Sequence, residues 1–289
     1  MTGLLADQSV AELRAQLDKA LAENAKLKGV GQPSVFIACP AYGQILTGQT
    51  SSTLVGLTRS LIQANMMGGF GTLSFPDISE IRNIFLTIWY DIIKSTHLLF
   101  VDADMGFEPQ LILDMIAFDK PLVGALCPKR KLPIEFAGRA KPGECKIVNG
   151  FMEVDGVGGA IMLIRRDCVD GILERDPALI DTITVKNHAA KELLDQYKVT
   201  RMLRAFDKVT IKGETFSEDL SFCLRHKQGG GDVWGNIMYN IVHVGPHEFQ
   251  GRYYDHIKDL IKPEQPAVTA PAPMAIPPEV QAALMQAAE

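Results

Sequence analysis

The stretch THLLFVDADMGFEPQLILDM, residues 96–115, decides how this chain folds. Its segment from His97 to Val101 is short and mostly apolar, which is typical of a strand buried in a parallel sheet. Two acidic residues, Asp102 and Asp104, follow the segment directly. Carboxylates at the end of a buried strand are costly unless something cationic neutralises them. The stretch therefore predicts a buried strand that ends at a cation site.

Strand and helix patterns alternate on the N-terminal side of this stretch. An apolar run stopped by Pro40 and Gly43 predicts a first strand, and Gly68-Gly69 closes the helical pattern behind it. The predicted elements are a strand over 34–38, a helix over 51–67, a strand over 72–75 and a helix over 79–94. This alternation is typical of an α/β fold with a doubly wound, mostly parallel central sheet, in which ligands bind beyond the carboxyl ends of the strands.

On the C-terminal side of this stretch, strands and helices alternate less regularly. Apolar runs predict strands over 122–126, 160–164 and 237–244, and glycines at 229–231 stop a helix over 217–227. Gly158 and Gly159 either let the backbone approach a ligand closely or permit a tight turn. The basic cluster Lys129-Arg130-Lys131 either contacts phosphate or is solvated surface.

Both ends of the chain differ in composition from the middle. From Val10 to Leu27 apolar residues recur at heptad spacing, which predicts a helix at 1–29 that either docks on its own domain or self-associates into a homo-oligomer. After Asp259 the prolines and alanines of KPEQPAVTAPAPMAIPP predict an extended tether, and the residues from Pro278 onward suit a short terminal helix. We expect a catalytic domain at 30–258 and a Pro/Ala-rich tail at 259–289.

Composition narrows the class of protein. The formal net charge is −5, so no global positive field holds nucleic acid, although a local basic patch would suffice. Five cysteines without a C-x-x-C pair favour a reducing compartment, and the N-terminus lacks the pattern of a secretion signal. No window approaches the roughly 20 apolar residues of a membrane span. We therefore expect a soluble, cytoplasmic protein.

The D-x-D triplet is weak evidence on its own. The chain has 19 aspartates in 289 residues, so about one such triplet arises by chance. Its place after a buried strand is what favours a metal site, because carboxylate oxygens suit Mg²⁺ or Mn²⁺ and either ion bridges the phosphates of a nucleotide diphosphate. The alternative is that the acids cap a helix that begins near Pro109.

The order of several segments resembles that of GT-A glycosyltransferases of the family 2 kind, the nucleotide-diphospho-sugar transferases with a Rossmann-like sheet. The run at 96–115 resembles their metal-binding segment, and the helix with Arg82 resembles the one that approaches the nucleotide diphosphate. Further likeness lies in VDGVGGAIMLIRR at 154–166, in Ser217-Glu-Asp and in His243-Val-Gly. The likeness covers about residues 34–252, and the order of its parts carries it.

The resemblance implies a donor site at the ends of the first strands. Arg82 would offer a planar fork of donors to phosphate oxygens, unless it lies at the surface with only its stem buried. Tyr42 would stack on the nucleoside base, unless the Pro-Ala-Tyr-Gly segment is simply a turn. The implied members of the donor site are Pro40, Ala41, Tyr42, Arg82, Asp102, Ala103 and Asp104.

The resemblance also implies an acceptor base and a third metal ligand. Asp219 is the first choice for the carboxylate that takes the proton of the attacking hydroxyl, and Glu218 is the second. Both acids equally suit the first turn of a helix with Ser217 as its N-cap, without any catalysis. His243 would join Asp102 and Asp104 on the ion because it matches the family's His-x-Gly turn, with His247 as the alternative.

The implied reaction is metal-dependent transfer of a sugar from a nucleotide-diphosphate sugar to a hydroxyl acceptor. The carrier is UDP or GDP, the cofactor is Mn²⁺ or Mg²⁺, and the acceptor is a protein, a glycan, a lipid or a modified nucleic-acid base. Two alternatives are open. A sugar nucleotidyltransferase has a related fold, although the loop CPAYGQILTG lacks its glycine-rich signature. The chain would otherwise be a non-catalytic nucleotide-binding or assembly protein.

Overall fold

The computed structural model describes residues 32–141, 146–182 and 191–260. The predicted helix at 1–29 and nearly all of the predicted tail at 259–289 lie outside these residues. Self-association through that helix therefore stays a prediction. Within the described ranges, every helix is too short or too polar to cross a membrane.

A large mixed sheet organises the described part of the chain. The strands are β1 (Val35–Pro40), β2 (Met67–Leu73), β3 (His97–Val101), β4 (Met105–Gly106), β5 (Leu122–Ala125), β6 (Arg139–Ala140), β7 (Ile147–Val148), β8 (Phe151–Gly156), β9 (Ile161–Arg165), β10 (Ile180–Asp181), β11 (Met202–Leu203), β12 (Thr210–Ile211), β13 (Glu214–Thr215), β14 (Val233–Asn236), β15 (Ile241–Val244) and β16 (Glu248–Gly251). Nine of them form the central sheet in the order β2-β1-β3-β9-β5-β14-β8-β6, with β7 also paired to β8. A smaller sheet joins β4, β15 and β16.

Helices connect many of the strands, and those at 48–63, 78–87, 110–117 and 218–228 correspond to helices that the sequence predicts. They are α1 (Gly48–Gln63), α2 (Ile78–Thr87), α3 (Gln110–Ala117), α4 (Arg166–Arg175), α5 (Lys191–Gln196), α6 (Glu218–Gln228) and α7 (Tyr253–Ile257). Short 3₁₀ turns lie at Tyr42–Gln44 and Pro177–Leu179. The predicted helix over 79–94 is α-helical only to Thr87 and continues as a π-helical segment, Ile88–Ile93, before Lys94 turns the chain with φ of 59°.

The sheet combines parallel and antiparallel pairs of strands. β1 runs parallel to β2 and β3, and β14 runs parallel to β5. β9 is inserted antiparallel between β3 and β5, and β8 is antiparallel to β14. The expectation of a mostly parallel sheet therefore holds for the first strands but not for the later ones. An apolar run such as Ile161–Arg165 is buried in either direction, so its composition does not reveal its direction.

Helices cover both faces of the sheet. On one face α1 and α3 pack on β1 and β3 through Leu57, Leu61, Leu111, Val35 and Leu99. On the other face α2, α4 and α6 pack through Ile81, Phe85, Val169, Phe222 and Phe100. This arrangement of helices, sheet and helices confirms the α/β architecture and leaves the strand ends of β1, β2 and β3 clear for a site.

The predicted strand over 237–244 is wrong in its first half. Oδ1 of Asn236 accepts the N–H groups of Met238 (3.0 Å) and Tyr239 (3.3 Å). This side-chain turn ends β14, since asparagine competes with the sheet for backbone donors. The chain then restarts as β15 beside the triplet that follows β3.

Candidate active site

The Asp102-Ala-Asp104 triplet leaves the end of β3 and is held by the backbone on several sides. The N–H of Asp102 donates to the carbonyl of Ala160 (2.9 Å), and the N–H of Val244 donates to the carbonyl of Asp104 (2.8 Å). The carbonyl of Ala103 accepts from the N-cap residue of α1 (3.0 Å). Neither aspartate caps α3, whose N-cap residue is Pro109 and has no side-chain capping bond. The alternative that the acids cap that helix is therefore wrong.

Arg82 meets Asp102 inside the protein. Its Nη2 donates to both carboxylate oxygens of Asp102, at 3.0 and 3.3 Å. Its Nε lies 3.7 Å from Oε1 of Glu218. The side chain of Arg82 is only 3% exposed, so the guanidinium itself is buried and not just the stem. Arg82 belongs to the part of helix α2 that is buried on all sides, which runs from Ile81 to Thr87.

The guanidinium of Arg82 fits against a glycine. A Cβ built on Gly159 would lie 1.3 Å from Nη1 of Arg82, so the turn at 158–159 makes room for the arginine. The ring of Phe100 lies 5.4 Å from Cζ. Nε and Nη1 have no hydrogen-bond partner within the described ranges. Unsatisfied donors on a buried charge are costly, and the nearby carboxylate of Glu218 is the anion that offsets part of this cost.

Asp104 meets His243 on the other side of the triplet. Oδ2 of Asp104 lies 3.5 Å from Nε2 of His243. Nδ1 of His243 donates to the carbonyl of Pro128 (2.8 Å), so Nε2 carries the lone pair and accepts from Nε of Arg130 (3.0 Å). Nη2 of Arg130 contacts the carboxylate of Asp104. Burial lowers the pKa of His243, which favours the neutral imidazole.

The arrangement at Asp104 and His243 fits a divalent cation. A histidine that ligates a metal usually donates its other ring N–H to a carbonyl or carboxylate, as His243 does to Pro128. Asp102 is turned toward Arg82 instead. Across the described residues, no three His, Cys, Asp or Glu side chains are assembled as a metal site. The structure therefore brings the predicted ligands Asp102, Asp104 and His243 to one place without assembling them.

His247 lies apart from this group. It is exposed, and its ring centroid lies 4.2 Å from that of Phe249. Its carbonyl accepts the N–H of Gly245 (2.9 Å) in the turn between β15 and β16. Of the two histidines that the sequence leaves open, His243 is the one beside Asp104.

Glu218 and Asp219 open helix α6 and face different groups. Glu218 is 8% exposed, and burial raises the pKa of its carboxyl group while the charge of Arg82 partly offsets this. Asp219 accepts the N–H of Gly159 on Oδ2 (2.9 Å) and a backbone N–H of its own helix on Oδ1 (2.7 Å). Ser217 holds the N-cap position but donates its hydroxyl to Asp219 and makes no capping bond. Both acids are thereby fixed around the turn that receives Arg82.

A cavity of about 1010 Å³ opens beyond the carboxyl ends of β1 and β2. Ala41 lines the cavity, whereas Tyr42 is 75% exposed and lies outside the lining, and Pro40 is the buried last residue of β1. Sequence reasoning missed the rest of the wall, which includes Phe75, helix α5 and Ile81 of α2. The cavity therefore adjoins the helix that carries the buried guanidinium.

The basic cluster after β5 is divided between the surface and the site. Lys129 and Lys131 pair with Glu135. Arg130 instead reaches Asp104 and the imidazole that faces it. Sequence reasoning missed this contact because residues 130 and 243 are 113 positions apart and only the fold brings them together.

No protein-family model matches the chain, and no curated protein sequence matches it. Among solved structures the chain is similar to A197 from STIV, with 15% identity, 76% of this chain and 90% of that chain covered, and a TM-score of 0.44. It is also similar to GalNAc-T7 with UDP, GalNAc and Mn²⁺, with 10% identity, 74% and 44% covered, and a TM-score of 0.39. A glycosyltransferase involved in the glycosylation of the major capsid of PBCV-1 has 12% identity, 57% and 74% covered, and a TM-score of 0.28.

Proposed function

We propose that this chain is a metal-dependent glycosyltransferase, which moves a sugar from a nucleotide-diphosphate sugar to a hydroxyl acceptor. The observation that carries the proposal is the division of the D-x-D triplet between two kinds of partner. Asp102 faces the buried guanidinium of Arg82, and Oδ2 of Asp104 lies 3.5 Å from Nε2 of His243. Fixed positive charge and ligands for a cation are the two things that stabilise a departing diphosphate.

The charge balance of the site favours a divalent cation. Four carboxylates surround two guanidinium groups there, and His243 is kept neutral by burial. When all four acids are ionised, the carboxylates outnumber the guanidinium groups, so the added positive charge of a divalent cation is favourable. The acids are Asp102, Asp104, Glu218 and Asp219, and the arginines are Arg82 and Arg130.

Asp104 and His243 would hold the cation, with Asp102 as the third ligand. When bound, the cation would neutralise the charge that grows on the leaving diphosphate. A mixed set of carboxylate oxygens and one imidazole nitrogen favours Mn²⁺ over Mg²⁺, which keeps to oxygen ligands. Arg82 would add a fixed positive charge from the protein side, since its guanidinium is buried beside Asp102 and Glu218.

The cavity beyond β1 and β2 is the proposed place for the nucleoside of the donor. Its volume of about 1010 Å³ lies at the upper end of the roughly 300 to 1,000 Å³ typical of ligand pockets. Ala41 and Phe75 give it apolar surface, and polar residues of α5 also line it. UDP and GDP both satisfy this description, so the donor base is a question for a screen.

Asp219 is the proposed acceptor base, and Glu218 is the proposed counter-charge of Arg82. Asp219 is only half-buried and is oriented by the N–H of Gly159, so its carboxylate is fixed and accessible. Glu218 is buried and already faces Arg82. Gly159 contacts both Asp219 and Arg82. The proposed base and the arginine that would face the diphosphate would therefore lie on neighbouring sides of the transferred sugar.

Release of free nucleotide from a panel of UDP- and GDP-sugars, with Mn²⁺ or with a chelator, tests the proposal. We expect one donor to be hydrolysed slowly with Mn²⁺ and not with the chelator, with release accelerating once the right hydroxyl acceptor is added. Calorimetry with UDP, GDP and Mn²⁺ separates the alternatives. Metal-dependent nucleotide binding is expected here, and its absence would favour a non-catalytic assembly protein.

A further inference from the structure

Arg130 stands on a surface hairpin that follows β5. The two arms of this hairpin are joined by a bond from the N–H of Lys129 to the carbonyl of Glu135 (2.7 Å) and by a bridge between Pro128 and Phe136. The side chain of Arg130 is 45% exposed, although its head reaches into the site. Its stem lies across Gly245, where a Cβ would come within 3.0 Å of Cδ. Arg130 is therefore a surface residue whose guanidinium contacts Asp104 and His243 of the site.

The guanidinium of Arg130 contacts the two atoms best suited to ligate a cation. Its Nη2 contacts Oδ2 of Asp104, and its Nε donates to Nε2 of His243 at 3.0 Å. Those two acceptor atoms lie 3.5 Å apart and face each other. The imidazole has one lone pair, and Pro128 fixes it toward the guanidinium. A lone pair that accepts a hydrogen bond from Arg130 is not free to bind a metal ion.

We propose that Arg130 and the divalent cation are alternative occupants of the same position between Asp104 and His243. The inference rests on the proposed function, because it presupposes the metal site. In the absence of the cation, the guanidinium of Arg130 keeps Asp104 and His243 in place and neutralises Asp104. When the cation binds, the guanidinium moves out of the site. Arginine cannot leave by losing its proton, so the exchange requires movement of the side chain. Its exposure provides the room for that movement.

The hairpin links this exchange to a second cavity. Phe136, at the other end of the hairpin, lines a cavity of about 260 Å³ with Tyr253 and Arg139, and its ring centroid lies 5.1 Å from that of Tyr253. Ala137, the next residue, faces Gly158 beside Asp219, since a Cβ on Gly158 would lie 3.4 Å from that of Ala137 and 3.7 Å from Oδ2 of Asp219. Release of Arg130 therefore frees one end of a hairpin whose other end borders the proposed acceptor side.

The competition is tested by the affinity for Mn²⁺ alone, measured from the electron paramagnetic resonance signal of the free ion. We expect Arg130→Gln to bind Mn²⁺ about tenfold more tightly than the unmodified chain, because no charged hydrogen bonds have to be broken first. Lys131→Gln is the matched control, since it removes the same charge from the same hairpin but pairs with Glu135. Its affinity should change by less than about threefold, as expected for an exposed charge.

Three outcomes separate this inference from the proposed function. If Arg130→Gln is no tighter than the unmodified chain while Asp104→Asn abolishes binding, the metal site stands and the competition is overturned. If Lys131→Gln tightens binding as much as Arg130→Gln, general charge explains the effect and the competition is also overturned. If neither the unmodified chain nor Arg130→Gln binds Mn²⁺, the metal site and the competition both fall.

Trypsin gives a second readout on the unmodified chain and on Arg130→Gln. The hairpin presents exposed cleavage sites at Lys129 and Lys131. We expect saturating Mn²⁺ to accelerate cleavage there in the unmodified chain and to leave it unchanged in Arg130→Gln, where the hairpin is already released. Protection by Mn²⁺ in the unmodified chain would overturn the proposal, because it would mean that the cation holds the hairpin in place together with Arg130.

Discussion

Asp102 and Asp104 stand two residues apart, but the arginines that face them belong to different kinds of structure. The side chain of Arg82 is 3% exposed and projects from the buried face of helix α2. The side chain of Arg130 is 45% exposed and projects from a surface hairpin. The first pair is enclosed between the sheet and the helices, whereas the second is open to solvent on one side.

The difference assigns each arginine a separate task. Removing one partner of a buried pair leaves an uncompensated charge in a medium of low dielectric, so Arg82 is a permanent part of the fold. An exposed pair contributes little because water screens both charges, so Arg130 can be exchanged for another cation. We therefore expect Asp102 to keep Arg82 as its partner, and Asp104 to exchange Arg130 for a metal ion.

The largest expected effect comes from Arg82→Met, which keeps the stem and removes the charge. Asp102 and Glu218 would then share a buried space without a cation, and we expect the free energy of unfolding to fall by about 3 kcal/mol. Urea denaturation followed by circular dichroism measures this. Arg130→Met is the matched variant and should lose no more than about 1 kcal/mol. Equal losses in the two variants would contradict the division between buried and exposed arginine.

The stability of the protein should also depend on pH, because a buried histidine, His97, begins β3, the strand that leads to Asp102. Burial, with a contribution from Arg165, lowers the pKa of His97 to about 4. The unfolded chain binds a proton near the ordinary histidine pKa of about 6.5, so stability is lost as the pH falls from 6.5 toward 4. The loss at pH 4.5 relative to pH 7 should be roughly 2 to 3 kcal/mol from this residue.

His97→Gln is the variant that isolates this contribution. Urea denaturation at pH 7 and at pH 4.5 should show a smaller drop for the variant than for the unmodified chain, whatever the cost of the substitution itself. An identical drop in both would mean that His97 is not buried in its neutral form.

A smaller effect is expected from Gly159→Ala. The new Cβ would lie 1.3 Å from Nη1 of Arg82, so the guanidinium has to move from Asp102. Overpacking of this kind typically costs about 1 to 3 kcal/mol, and donor hydrolysis should fall further because the diphosphate partner is displaced. Gly158→Ala is the control, since its Cβ would meet only Ala137 at 3.4 Å and Asp219 at 3.7 Å. Equal effects of the two substitutions would count against the fit of Arg82 into the turn at 159.

Strand β3 and the triplet that follows it were predictable because local pattern determines them. The run from His97 to Val101 is strand β3 as predicted, and the acids that follow it lie at its end. The direction of β9 was not predictable, because an apolar run looks the same in a parallel and an antiparallel neighbour. The end of β14 at Asn236 was not predictable either. It depends on the hydrogen bonds that the Asn236 side chain accepts, and the spacing of apolar residues does not reveal these bonds.

The partners of the site residues were beyond the sequence for a different reason. Arg82 and Glu218, and likewise Arg130 and Asp104, come from elements that are distant in the chain and meet only through the fold. Arg130 belonged to a basic run whose pattern is more typical of solvated surface than of phosphate contact. Gly159 had two interpretations of equal merit until the guanidinium beside it was known. Pattern identifies which residues have chemistry, and tertiary structure decides which of them face each other.

The most direct measurement is the rate of nucleotide release from the preferred nucleotide-sugar by the unmodified chain, by Asp102→Asn and by Asp104→Asn, each with Mn²⁺ and with a chelator. The account predicts release that requires Mn²⁺ in the unmodified chain and falls at least about a hundredfold in both variants, as expected when charge stabilisation of a leaving group is removed. Circular dichroism has to show that both variants are folded. Release that is unaffected by the chelator, or that persists in both variants at the unmodified rate, would contradict a metal-dependent transferase built on this triplet.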